Sequence, residues 1–267
     1  MSKLNAIKTF RDLLAFLTII PMGTGENFVT TSAEYMFLFP LIGALIGLFA
    51  AGYFLLSSFI VSALLGVINF LIQVPLDFLL KLVPAIMTLA FLLVLTGLQH
   101  FDGLVDLGNA IGLHKLEERR EAAHAWIVTY KGAILAICIE AVAFLGLFFI
   151  NPVWAVQVII VAEVAAKLGM VTIVAVGQPM SKGLGARFME KAKRKRNIVA
   201  YAISILIIVP LLGLWGLLVV AVGILVGALM EQVAKNVFGG VSGDMIGATN
   251  ETVRAVTLIL LVGALML

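Results

Sequence analysis

The sequence predicts an all-α fold, a polytopic membrane helix bundle of about six or seven transmembrane helices. Three observations carry this. Hydrophobic residues make up 62% of the 267 residues and charged residues only 12%, whereas a soluble globular domain has about 25% charged residues. Mean hydropathy is +1.15. The apolar residues fall into long runs, several of them near the ~20 residues that cross a ~30 Å hydrocarbon core, with short polar breaks between them. A water-soluble monomer cannot hide this much apolar surface, and disorder is excluded by the same arithmetic. Without a fixed-period repeat, low-complexity tract or soluble accessory segment, residues 1–267 read as one integral-membrane domain in the lipid bilayer.

The elements follow in order. Lys3, Lys8 and Arg11 precede a short apolar stretch at 13–20, which superficially suggests a signal peptide. Pro21-Met22-Gly23-Thr24-Gly25 has no A-x-A cleavage pattern, so residues 1–34 read as a retained amphipathic or re-entrant segment. Residues 35–72 are too long for one ordinary span. They are either one long tilted helix with an extension or two spans joined near Ser57, Ser58 and Ser62. Residues 73–84, with Pro75, Asp77, Lys81 and Pro84, read as a connection, and 85–99 as the next span. A polar stretch covers 100–131. Spans at 133–150 and 153–176 follow, closed by Asn151-Pro152 and Gly177-Gln178-Pro179.

The loop at 180–197 holds Lys182, Arg187, Lys191, Lys193, Arg194, Lys195 and Arg196 against a single acid, Glu190. Basic loops stay in the cytoplasm, so this one sets the topology, and its 191–196 tail suits anionic headgroups. Residues 198–237 are long enough for two short spans broken at 210–216. A glycine-rich break at 239–250 precedes a last span at 253–267. By parity, the segments 100–131, 180–197 and 239–251 meet on one face, the cytoplasmic face of the cell membrane. The net charge of +3 does not imply nucleic acid, because the basic residues cluster in these topogenic breaks. The lone Cys138 lies in an apolar run and forms no intrachain disulfide. A homo-oligomer is left open.

With so few charges, acids at helix ends and at membrane depth stand out, because burying an isolated carboxylate is expensive. In His100-Phe101-Asp102-Gly103-Leu104-Val105-Asp106, the two aspartates share a helix face with Asn109. Like charges at that spacing repel unless a cation lies between them. Oxygen ligands of this kind suit Mg²⁺ shared with substrate phosphates, but a solvated helix end would look the same. In Gly239-Gly240-Val241-Ser242-Gly243-Asp244, glycines permit close approach and a helix N-terminus presents free N–H groups to phosphate. Ser242 or Asp244 equally suits an ordinary N-cap. Glu251 and Arg254, three apart, suit a mutual pair.

Pro179-Met180-Ser181-Lys182-Gly183-Leu184-Gly185 reads alone as a turn with topogenic lysines. Glu163 and Lys167, four apart in one span, either neutralise each other or leave Lys167 to reach a substrate phosphate. Glu140 and Glu231 are further intramembrane acids without an evident partner. His114 and His124 lack zinc-ligand spacing.

Taken together, three ordered segments resemble the cobalamin-5′-phosphate synthase (adenosylcobinamide-GDP ribazoletransferase) family. They are H-F-D-G-L-V-D at 100–106, P-x-x-x-G-L-G at 179–185 and G-G-V-S-G-D-M-I-G-A-T-N-E at 239–251. The resemblance implies a multispanning membrane enzyme of the cobalamin nucleotide loop, with Mg²⁺ as cofactor. A ribose hydroxyl of α-ribazole or its 5′-phosphate would attack the cobinamide-bound phosphate of adenosylcobinamide-GDP, releasing GMP. By motif position, His100, Asp102, Asp106, Asp244 and Glu251 would be catalytic, and Asp102, Asp106 and Asp244 would hold the metal. Asn109, Lys131, Lys167, Lys182, Gly183, Gly185, Gly240, Ser242, Gly243 and Asn250 would contact substrate or its phosphates.

The chain departs from the family pattern at three places. Asn109 stands where a further acid is common. Thr129-Tyr130-Lys131-Gly132 stands where a D-S-R-x-G-T-x-G-like stretch is common, and Ala166-Lys167 replaces a serine–arginine pair. Lys is a point charge and not a bidentate fork. Two other classes share some of these features. A secondary transporter would also use intramembrane acids and broken helices but should show inverted repeats and a midplane site. A CDP-alcohol phosphotransferase would carry a longer aspartate pattern that is not met around Asp102.

Overall fold

The computed structural model describes residues 3–23, 25, 27–72, 77–123, 125, 127–191 and 194–265, which are helical apart from short connections and one isolated bridge, Pro179 to Val241. Of the residues singled out above, Thr24, Pro75, His124 and Lys193 lie outside them. The order begins with α1 (Lys3–Leu17), α2 (Phe28–Glu34) and a 3-10 turn at Met36–Leu38. Next come α3 (Phe39–Ile72), α4 (Asp77–Leu95), α5 (Gln99–Ala110), α6 (Leu116–Ala123) and α7 (Tyr130–Phe148). The chain closes with α8 (Ala155–Val176), α9 (Leu184–Lys191), α10 (Arg194–Leu212), α11 (Leu214–Phe238) and α12 (Gly243–Leu265). Among the described residues, α3, α4, α7, α8, α11 and α12 are each long and apolar enough to cross a membrane, and α9 with α10 would make a seventh span. The protein is a multi-pass membrane helix bundle.

Two helix starts differ from the hydropathy reading, and one of its two alternatives for residues 35–72 is realised. The block at 35–72 resolves as one continuous α3 of 34 residues, about 51 Å at 1.5 Å per residue. Ser57 does not break it, because its hydroxyl donates to the Phe54 carbonyl at 3.0 Å inside the helix. Helix α4 starts at Asp77 and not at 85, with Pro84 inside it, as spanning helices tolerate. Helix α12 starts at Gly243 and not at 253. The Ser242 hydroxyl accepts the Met245 N–H at 3.2 Å, which makes it the N-cap. The break at 210–216 is a turn at Gly213, whose φ of 58° suits glycine.

Helix α8 is buried along almost its whole length and packs against α3, α10, α11 and α12. Small residues make this possible. A Cβ on Gly43 of α3 would lie 2.6 Å from the Glu163 carbonyl, and one on Gly47 2.6 Å from Ile160 Cα. This is the glycine-spaced close packing that membrane helices use in place of hydrophobic drive. At one end of the bundle the three polar segments converge. Val241 N–H donates to the Gln178 carbonyl at 2.8 Å and Met180 N–H to the Val241 carbonyl at 3.1 Å. Arg119 and Arg120 of α6 donate to the carbonyls of Asn236 (3.0 Å) and Phe238 (2.9 Å), capping the end of α11.

Candidate active site

Helix α5 has 12 residues, about 18 Å, so it is too short to cross and stands at this converged end. It begins in a tight turn at Thr96-Gly97-Leu98. Leu98 takes φ 59°, a left-handed conformation that costs roughly 1–2 kcal/mol for a side-chain-bearing residue. Two glycines bring α5 against α12. A Cβ on Gly103 would run into the Asp244 carbonyl, and one on Gly247 would lie 3.0 Å from His100 Cα. This contact brings Asp102 and Asp244 together.

Two cavities flank the aspartates, and both are lined by Asp102 and Asp244. The first, about 210 Å³, is completed by Asp106, Val105, Ala123, Ile127 and Val128. The second, about 240 Å³, adds His100 and Gln99 and the apolar side chains of Phe16, Met170, Leu184, Phe188 and Ile246. Among the described residues, no three Asp, Glu, His or Cys side chains form a ready-made ion cage. The carboxylates instead crowd one small cavity. Burial, with the charges of Asp244 and Asp102 adding to it, pushes the Asp106 carboxyl up to about 7.

Beneath the cavities lies a buried ionic network that joins the two sequence-adjacent pairs into one. Arg254 donates to both Glu163 and Glu251. Lys167 Nζ donates to Asn250 Oδ1 at 2.6 Å and to Glu163 at 3.4 Å. Asn250 Nδ2 in turn donates to Glu251 at 3.0 Å. His100 reaches the network through Nδ1, 3.6 Å from Glu251, longer than a hydrogen bond. Burial holds His100 below the usual histidine range, against the pull of Glu251 in the other direction. Glu140 on α7 is also buried and faces Glu251 and Arg254 of this network.

The sequence-predicted residues therefore divide. His100, Asp102, Asp106, Gly243 and Asp244 line cavities. Glu251, Asn250 and Lys167 are buried in the network below, where Lys167 pairs with Glu163 and Asn250. Asn109 is buried and holds the 127–129 strip, with its amide donating to the Ile127 carbonyl at 2.7 Å and its oxygen accepting from Thr129 N–H at 3.0 Å. Lys131 Nζ donates to the Ile111 carbonyl at 3.1 Å. Lys182 and Gly183 are exposed on the turn before α9. Ser242 caps α12, while Gly185 and Gly240 let the 179–185 turn and the 239–242 segment touch. Phe16 and Phe188 were not singled out in the sequence. Their rings pack with centroids 5.1 Å apart, tilted by 36°, and no local pattern distinguishes them among 17 phenylalanines.

No solved structure matches the chain significantly. Curated relatives span nearly its full length. Adenosylcobinamide-GDP ribazoletransferases from Methanosarcina barkeri (28% identity, 94% of this chain and 90% of the relative), Methanocella arvoryzae (28%, 95% and 95%) and Haloquadratum walsbyi (29%, 93% and 94%) are among them. The family profile described as cobalamin-5-phosphate synthase matches residues 9–262. With its motifs gathered at one end of the bundle and the profile covering almost every residue, the chain belongs to the cobalamin-5-phosphate synthase family.

Proposed function

We propose that this membrane enzyme is an adenosylcobinamide-GDP ribazoletransferase, which joins adenosylcobinamide-GDP to α-ribazole or its 5′-phosphate with release of GMP. The observation that carries this reading is the pair Asp102 and Asp244, shared by two cavities. A transfer between two substrates needs two compartments meeting at the same charged groups. In the step, a ribose hydroxyl oxygen bonds to the cobinamide-bound phosphorus. The bond from that phosphorus to the bridging oxygen breaks, and GMP departs with the electron pair. The hydroxyl proton passes to His100 Nε2, the ring nitrogen not turned toward Glu251.

Asp102, Asp244 and Asp106 would hold Mg²⁺, an all-oxygen set that leaves positions for diphosphate oxygens. The crowding of three carboxylates on one small cavity supports that fit. When bound, the ion would neutralise charge on the diphosphate and the leaving group. The N-terminus of α12 adds a partial positive charge beside Asp244. A cavity of about 210 Å³ admits the diphosphate end only, so the bulky corrin ring would remain outside. The basic loop opens at the same end of the bundle, which supports a cytoplasmic site in the cell membrane.

Purified protein in detergent or liposomes, given Mg²⁺, adenosylcobinamide-GDP and α-ribazole, is expected to release GMP and form the joined corrinoid. Asp102→Asn and Asp244→Asn are expected to lose turnover by about 10²-fold or more, the scale for groups that stabilise a transferring phosphoryl. Glu140→Gln, outside both cavities, should stay close to wild type. Absence of product where a known synthase works would refute the assignment.

A further inference from the structure

The two cavities are chemically unequal, and this difference deepens the reading just given. An in-line phosphoryl transfer places attacking and leaving oxygens on opposite sides of phosphorus. The incoming nucleoside and the departing nucleotide therefore lie on opposite sides of the phosphorus. Asp106 lines only the first cavity, which thereby concentrates three carboxylates where diphosphate charge and its counter-ion would gather. His100 lines only the second. A group placed to meet a hydroxyl hydrogen belongs on the side of the partner that has a reacting hydroxyl, which is the acceptor.

The walls agree with this. The second cavity has Phe16 from α1 and Phe188 from α9, with rings 5.1 Å apart at an interplanar angle of 36°. Phe39 lies behind them, 6.1 Å from Phe16 and 6.0 Å from Phe188. Met170, Leu184 and Ile246 complete the apolar lining, while Gln99, His100, Asp102 and Asp244 supply the polar groups. A flat, mostly apolar heterocycle joined to a polar sugar matches that gradient, because aromatic faces reward planar apolar area and the carboxylates meet hydroxyls. Among the described residues, the first cavity has only aliphatic side chains, Val105, Ala123, Ile127 and Val128, beside its carboxylates.

We propose that the cavity between α1, α5, α9 and α12 is the acceptor-nucleoside site, with the half-buried Phe16 as the residue that meets the aromatic base and the buried Phe188 ring (1% exposed) supporting it from behind, and that the Asp106 cavity takes the diphosphate of the donor. The amphipathic helices α1 and α9 are then specificity elements as well as membrane-surface elements.

Two sets of variants test this in the full-length protein. Phe16→Leu keeps apolar volume but removes the flat face, and Phe188→Leu removes the buried ring that supports it. Each is expected to raise KM for α-ribazole about tenfold or more while KM for adenosylcobinamide-GDP stays within about twofold, a tenfold change being about 1.4 kcal/mol. Val128→Trp, at an exposed position (67%) lining the other cavity, is expected to show the reverse split. Since Val128 is exposed, that variant stays informative even if Phe188→Leu folds poorly. Calorimetric titration of α-ribazole into the protein, without donor or Mg²⁺, gives a readout independent of turnover. Binding should weaken about tenfold in the two Phe variants and be unchanged in Val128→Trp. A KM shift confined to the donor in the Phe variants, or equal shifts for both substrates in all three variants, would overturn the assignment. Wild type that binds α-ribazole in a Phe16- and Phe188-dependent way but forms no joined product would refute the ribazoletransferase reading and leave the acceptor site standing.

Discussion

With its carboxyl pushed up to about 7, Asp106 holds a proton near neutrality that a cation has to displace. The sign follows from linkage. In the unfolded chain Asp106 ionises in the ordinary carboxyl range, so between that range and pH 7 the folded state binds more protons than the unfolded one. Stability therefore falls as pH rises toward 7, because the ionised group faces Asp244 and Asp102. A cation that relieves this repulsion should raise Tm more at pH 8 than at pH 6, and Asp106→Asn should flatten the difference. Equal Mg²⁺ increments at both pH values in the wild type would exclude Asp106 as a ligand. Residues of this kind were legible in the sequence because charge is scarce in a bilayer. Phe16 and Phe188 were not, since an aromatic ring is unremarkable in a chain this apolar and only the meeting of α1, α3 and α9 gives each its partners.

The network on α8 and α12 shows what helices add to residues. The pairs Glu163–Lys167 and Glu251–Arg254 were both legible from spacing. Their union was not, because it depends on which faces α8 and α12 turn to each other. Each charge in the network is fully compensated by neighbours, and removing one leaves another buried without a partner. Arg254→Met is expected to cost about 3–5 kcal/mol, read as a lowered unfolding midpoint in detergent. Lys182→Ala, on an exposed turn, should stay within about 0.5 kcal/mol. If Arg254→Met unfolds like wild type, the network does not contribute to stability. The misplaced start of α12 has the same origin. Hydropathy registers residues that face lipid, whereas Asn250, Glu251 and Arg254 are buried against protein, where polar partners replace water.

For the whole molecule, the sequence reading had polar segments from three regions meeting at one membrane face, and the structure gathers them at one end of the bundle. The opposite end includes the α7–α8 turn at Asn151, which is exposed. In a Cys138→Ser background, single cysteines at His114, Glu190 and Asn236, all exposed, should react with a membrane-impermeant maleimide from the same side. A cysteine at Asn151 should react from the other. Finding 190 opposite 236 would break the topology.

The wall that Asp102 and Asp244 form between two cavities also bears on the order of events. Each compartment is lined without the other's occupant, so donor and acceptor can be present at once, and no group has to be parked on the protein between half-reactions. Initial-velocity plots against one substrate at fixed levels of the other should therefore intersect, the pattern of a ternary complex. A parallel set would mean a covalent relay through a side chain. The same partition makes hydrolysis a competing fate of the donor. With the acceptor compartment empty, only water reaches the phosphorus from that side, so the rate of GMP release without α-ribazole measures how well the empty aromatic chamber keeps solvent out.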